Sequence, residues 1–122
     1  MMPRFVVLRH ETPRGVHWDL MLQTGGVLAT WSLAEEPQPG ETCRAEALAG
    51  HRLAYLDYEG PISGGRGQVT RWDAGLYTTV DDGLMRLVLA MSGARLQGRI
   101  TLTRSAETPT AWQFRWEESG NV

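Results

Sequence analysis

The sequence predicts an all-β fold, a compact single-domain β-barrel of short, mostly antiparallel strands spanning residues 1–122. Three observations carry that expectation. Apolar and polar residues alternate along most runs, turn-forming residues recur at short intervals, and no segment has the long 3.6-residue periodicity of an amphipathic helix. Closing such a set of about nine or ten strands into a barrel would leave few exposed edges.

The elements follow in order. Residues 4–10 and 16–23 read as the first strand pair, split by Glu11-Thr12-Pro13-Arg14-Gly15. Gly25-Gly26 makes a tight hairpin turn into Val27–Leu33. An acidic, proline-containing loop covers Ala34 to Gly40, and Thr42–Leu48 and Leu53–Tyr58 are further candidate strands around His51. Gly60-Pro61-Ile62-Ser63-Gly64-Gly65-Arg66-Gly67 is the most loop-like stretch, and it lacks the Gly-Lys-Ser/Thr ending of a P-loop. Beyond it, Met85, Leu87, Leu89 and Met91 share one face, as do Ile100 and Leu102, and then Trp112, Phe114 and Trp116. Asp81-Asp82-Gly83 and Ser92-Gly93 supply turns. The alternating aromatics read as packed strand faces rather than as base-stacking platforms.

Composition excludes several classes. At 122 residues, 42% hydrophobic and 21% charged, the chain has the make-up of an ordinary globular domain. No run approaches the roughly eighteen apolar residues of a membrane helix, and the opening Met1-Met2-Pro3-Arg4 has no signal-peptide stretch, so no membrane partner and a cytoplasmic location are expected. The single cysteine, Cys43, makes no internal disulfide. Net charge is −2, yet all 12 basic residues are arginine. Arg4, Arg9, Arg14, Arg44, Arg52, Arg66 and Arg71 share the half of the chain that holds the histidines. A nucleic-acid end can be gripped locally by such forks, whereas extended duplex binding is not supported.

There are three histidines, His10, His17 and His51. On a strand, alternation puts His17, Asp19 and Met21 on one face and Trp18, Leu20 and Leu22 on the other. A histidine and a carboxylate two residues apart fit half of a divalent-metal site, and a surface His–Asp hydrogen bond accounts for the pair without a metal.

The ordered set Phe5-Val6-Val7…His10…His17-Trp18-Asp19-Leu20…Gly26-Val27-Leu28…Trp31 resembles the 3′-phosphoesterase domain of bacterial DNA ligase D and its free-standing relatives. The resemblance continues through Arg44, His51, Tyr55 and Glu59-Gly60 to Gly67-Gln68-Val69-Thr70-Arg71-Trp72-Asp73-Ala74-Gly75, covering nearly the whole chain. It implies a compact β-barrel with a polar crevice, and His10, His17 and Asp19 as ligands of a divalent metal, manganese in the family. It also implies His51 and Tyr55 contacting the scissile phosphate, with Arg44 nearby. The implied activity is metal-dependent removal of a 3′-phosphate or a 3′-terminal ribonucleotide, as a step of DNA end repair. The product is a 3′-hydroxyl that a separate ligase or polymerase uses.

Phosphoester hydrolysis needs neutralised non-bridging oxygens and a positioned water. In that scheme His51 serves the transition state or the leaving oxygen, Tyr55 donates to phosphate, and Arg44 clamps it. No protein nucleophile stands out, so attack by water is expected.

The chain also departs from the family pattern. Six residues separate His10 from His17, one more than usual, and the extra residue is expected in Glu11–Val16. Met21 stands where the family has arginine, Glu35 lies near a usual lysine, Ala49 takes a usually acidic place, and the 60–67 loop is shorter. Met21 is expected to border the crevice, so that an arginine there would restore a phosphate clamp. Two further functions follow from these losses: a catalytically weak or silent metal-binding module for nucleic-acid ends, or a phosphatase for a small phosphate ester.

Overall fold

The computed structural model describes residues 2–118. Nine strands alternate with tight turns: β1 (Arg4–Thr12), β2 (Gly15–Thr24), β3 (Val27–Leu33), β4 (Thr42–His51), β5 (Gly60–Pro61), β6 (Gln68–Asp82), β7 (Arg86–Gly93), β8 (Gln97–Arg104) and β9 (Ala111–Glu118). All pair antiparallel in the order β1-β2-β3-β4-β9-β8-β7-β6-β5, and β1 also pairs with β6, which closes the sheet into a ring. The fold class is therefore the all-β one that the alternation predicts. Among the described residues, no helix is long and apolar enough to cross a membrane.

Two details differ from the sequence reading. Residues 53–57 form a short 3-10 helix, not a strand. Its Leu56 is buried while Leu53, Ala54 and Asp57 are exposed, a spacing that one helical turn meets and an extended strand does not. The segment 11–16 is not an open loop either. The first two strands run on to Thr12 and from Gly15, with His10 opposite His17, Leu8 opposite Asp19 and Val6 opposite Met21. Thr12 secures the turn by donating its hydroxyl to the Gly15 carbonyl at 2.9 Å and accepting from the Arg14 amide at 3.0 Å.

The sheet buries apolar side chains on both faces. Phe5, Val7, Leu20, Leu22, Trp31, Leu33, Leu89, Ile100, Leu102, Phe114 and Trp116 fill the ring interior. A second, smaller core of Val6, Leu8, Met21, Leu28, Leu56 and Val69 lies on the outward face, with Tyr55, Tyr58 and Ile62 packed against it. The 3-10 helix supplies the lid of this outer core through Leu56. Arg4 pins the helix from β1 by a bidentate contact with Asp57, at 2.7 and 3.4 Å.

The Trp72-Asp73-Ala74-Gly75 motif is structural. The pairing of β1 with β6 slips by one residue here, leaving Trp72 as the extra residue of a bulge. Asp73 is buried and accepts the backbone N–H groups of Ala94, Arg95 and Leu96 at 3.0, 3.0 and 2.7 Å, so it organises the β7–β8 turn. Arg95 then lies 4.1 Å over the Trp72 ring. A Cβ on Gly75 would come 2.2 Å from the Ser92 carbonyl oxygen, which accounts for the glycine.

Candidate metal centre

His10, His17 and Asp19 meet on the outward face of the β1–β2 hairpin. The hairpin register makes His10 and His17 a cross-strand pair, and Asp19 follows His17 on the same face. Their rings meet edge to face at 4.6 Å between centroids. One ligand atom from each of the three lies within 4.8 Å of the others, a spacing that one ion bridges after small side-chain adjustments. Asp19 is 4% exposed, whereas the two imidazoles are partly open to solvent.

Hydrogen bonding at the cluster shows whether a cation fits. His10 Nε2 lies 2.8 Å from the Arg66 carbonyl oxygen, and its Nδ1 lies 3.1 Å from Asp19 Oδ2. Carbonyl and carboxylate oxygens only accept, so a neutral ring that donates Nε2–H to Arg66 turns a lone pair at Nδ1 towards Asp19. Two facing acceptors need a positive charge between them, which a proton on Nδ1 or a metal ion supplies. On the other side, His17 Nε2 is 3.2 Å from Asp19 Oδ1, but off the line of a hydrogen bond, and Oδ1 is buried without a partner. The close polar contact with the Asp19 carboxylate raises the His17 pKa above its ordinary value, burial opposes the rise, and charge attraction adds to it. Two imidazole nitrogens and an unsatisfied buried carboxylate oxygen suit a divalent ion with mixed N/O ligation.

The other predicted residues lie further along the outward face. Arg44 is exposed on β4, and the Ala34 amide donates to its carbonyl at 2.9 Å. Ala34 follows Leu33, the partner of Trp18, so only this small residue separates the Arg44 row from that of His17. A groove of about 520 Å³ opens here, lined by Ser32, Ala34, Arg44, Glu46 and the 108–112 segment. Glu35 is exposed next to it.

His51 and Tyr55 form a pair of their own, with ring centroids 5.7 Å apart. His51 ends β4 beside Leu28, and Tyr55 rides on the 3-10 helix. His51 Nδ1–H donates to the Ala49 carbonyl at 2.9 Å, so position 49 holds the ring through its backbone. The Tyr55 ring packs on the outer core, and its hydroxyl has no hydrogen-bond partner among the described residues.

Met21 departs from expectation. It shares the face of His17 and Asp19, as alternation requires, but it is 1% exposed and packed among Val6, Leu8, Leu28 and Leu56. The 3-10 helix covers it, so Met21 does not border an open crevice. Sequence reasoning also passed over the Arg66 carbonyl, because a main-chain acceptor leaves no side-chain signature. The only available signal was the glycine-rich loop that carries it.

The sequence profile of the DNA Ligase D 3′-phosphoesterase domain matches residues 8–104. The multifunctional non-homologous end joining protein LigD of Pseudomonas aeruginosa is 35% identical over 112 residues, covering 84% of this chain and 13% of that protein. The LigD of Mycobacterium bovis and that of Mycobacterium tuberculosis H37Rv are each 30% identical over 110 residues, covering 83% of this chain and 14% of theirs. The chain thus spans only 13–14% of the length of these relatives.

Proposed function

The chain belongs to the DNA ligase D 3′-phosphoesterase domain family, and on that premise we propose that it is a manganese-dependent phosphoesterase of nucleic-acid 3′ ends. It would remove a 3′-phosphate or a terminal ribonucleotide and leave a 3′-hydroxyl for a separate ligase or polymerase. The observation that carries the reading is the His10–His17–Asp19 cluster, with its unsatisfied carboxylate oxygen, beside a groove that holds Arg44.

His10, His17 and Asp19 would hold the ion. The chemistry it supplies when bound is charge neutralisation at the phosphate oxygens and activation of water. Arg44 contributes a planar fork of donors that suits a phosphate in the groove. His51, tied at Nδ1 to the Ala49 carbonyl, keeps Nε2 for a proton directed at the leaving oxygen. Tyr55, edge-on to that ring, has its hydroxyl available for a phosphate oxygen. The His51–Tyr55 pair reaches the substrate from the far side of the sealed Met21 cluster.

A weak or silent end-binding module is the second reading, and the burial of Met21, where the resemblance implies an arginine, favours it. Phosphate release from a 3′-phosphate primer-template, with and without manganese, decides between the two, with His17→Ala as control. Manganese-dependent release that the substitution abolishes supports the enzyme. Tight binding of the end without turnover supports the module. Turnover of small phosphate esters that an oligonucleotide fails to inhibit points to a metabolite phosphatase instead.

A further inference from the structure

His10 is held at both ring nitrogens, and the second hold comes from outside the hairpin that carries the cluster. The Arg66 carbonyl belongs to the loop between β5 and β6. That loop is closed and braced. The Ile62 amide donates to the Gly67 carbonyl at 2.8 Å, and Arg66 donates Nε–H to the Ser63 carbonyl at 2.7 Å and Nη2–H to the Ser63 hydroxyl at 3.2 Å. Gly64, Gly65 and Gly67 have φ of +77°, +68° and +86°, a region that side chains other than glycine's rarely enter. A Cβ on Gly67 would stand 1.7 Å from the Glu11 carbonyl oxygen, one residue past His10 on β1. The glycine is what lets the loop lie against the strand.

We infer that the 62–67 loop is a positioning element for the metal centre: the Arg66 carbonyl fixes His10 as the Nε2–H tautomer and so assigns Nδ1 as its ligand atom. Both partner oxygens can only accept, and the Arg66 carbonyl makes the closer contact, 2.8 Å from Nε2 against 3.1 Å between Nδ1 and Asp19 Oδ2, so it takes the single proton of the neutral ring. Outer contacts of this kind set ligand orientation and basicity, and losing one typically costs about 10–100-fold in metal affinity. The loop therefore tunes the site through its backbone. The inference rests on the metal reading above, and its test separates the two.

Histidine ¹⁵N shifts of the metal-free protein, recorded where the rings are neutral, report the His10 tautomer directly. The expected result is a proton on Nε2. Gly67→Ala should lift the loop, mix the tautomers and weaken Mn²⁺ binding about 10–100-fold by calorimetry, with the circular dichroism of the fold retained. Arg66→Ala keeps the carbonyl but loosens its brace, and serves if the first variant does not fold. Its expected loss is smaller, about two- to tenfold. A wild-type His10 protonated at Nδ1 overturns the proposal, as does unchanged Mn²⁺ affinity in a variant whose tautomer has shifted. A wild-type protein with the Nε2–H tautomer and no Mn²⁺ binding overturns the metal reading, and with it the tuning role, while leaving the Arg66–His10 bond in place.

Discussion

At one end of the outward face, His10, His17 and Asp19 stand on two hydrogen-bonded strands; at the other, His51 and Tyr55 stand on a strand terminus and a 3-10 turn. The first group is fixed by register. A ladder pairs His10 with His17 and fixes their backbones opposite each other. The second group depends on how the 3-10 helix is seated, through Leu56 below and the Arg4–Asp57 pair at its edge. Between the two lies Met21, sealed under that helix. Metal holding and phosphate handling thus rest on parts of different rigidity, and substitutions should affect them separately.

Met21→Arg breaks this arrangement most severely. The structure makes the expected restoration of a phosphate clamp unattainable without displacing Leu56. An uncompensated charge placed among Val6, Leu8, Leu28 and Leu56 should cost about 3–5 kcal/mol of stability, measured by urea unfolding. Turnover of a 3′-phosphate end should not rise. A variant as stable as the parent with improved phosphate affinity would mean that the helix swings aside readily, and the contrast between the two ends would collapse.

His51→Ala sharpens the contrast. Loss of a positioned acid–base group should lower turnover by about 10²–10⁴, while Mn²⁺ affinity, read by calorimetry, stays within about twofold of the parent. Tyr55→Phe should give a smaller loss of the same kind. If either substitution weakens Mn²⁺ binding as much as His17→Ala does, the two ends are one site and the separation is wrong.

How much of this was legible in the sequence follows the same divide. Where residues lie on strands, alternation worked: His17, Asp19 and Met21 share a face, and the interior faces of β7, β8 and β9 are those that the pattern marks. The convergence of His10 came from the ordered resemblance, since spacing alone gives no pairing. Glu11–Val16 continue the two strands to a tight turn, in the register that brings His10 opposite His17. What alternation missed was the second core. Its trace is present, because Phe5–Leu8 and Leu20–Leu22 are unbroken apolar runs, the mark of strands covered on both faces. The 3-10 helix at 53–57 had no such trace, being shorter than one reading window and defined by tertiary contact. The Arg66 carbonyl was invisible for a different reason: its chemistry belongs to the backbone, and only Gly67 hints at the close approach.

The smallest expected effect comes from the seat of the helix. Asp57 is exposed, and its hydrogen bond to Arg4 holds its pKa below the ordinary carboxylate value, against a slight desolvation and with further help from charge attraction. A depressed carboxylate pKa contributes stability that is complete above the unfolded value and is lost as pH falls through the folded one. The Arg4–Asp57 pin should therefore hold at neutral pH and release in acid, below the ordinary carboxylate pKa. Solvent screening makes the global gain from such a surface pair slight, so the readout must be local. Asp57→Asn should speed amide exchange in residues 53–57 at pH 7, and the parent should reach the same rate only on acidification. Exchange at His10 and His17, held by the ladder, should not change. If exchange quickens equally in the hairpin, the helix and the cluster unfold as one unit, and the metal end is no more rigid than the phosphate end.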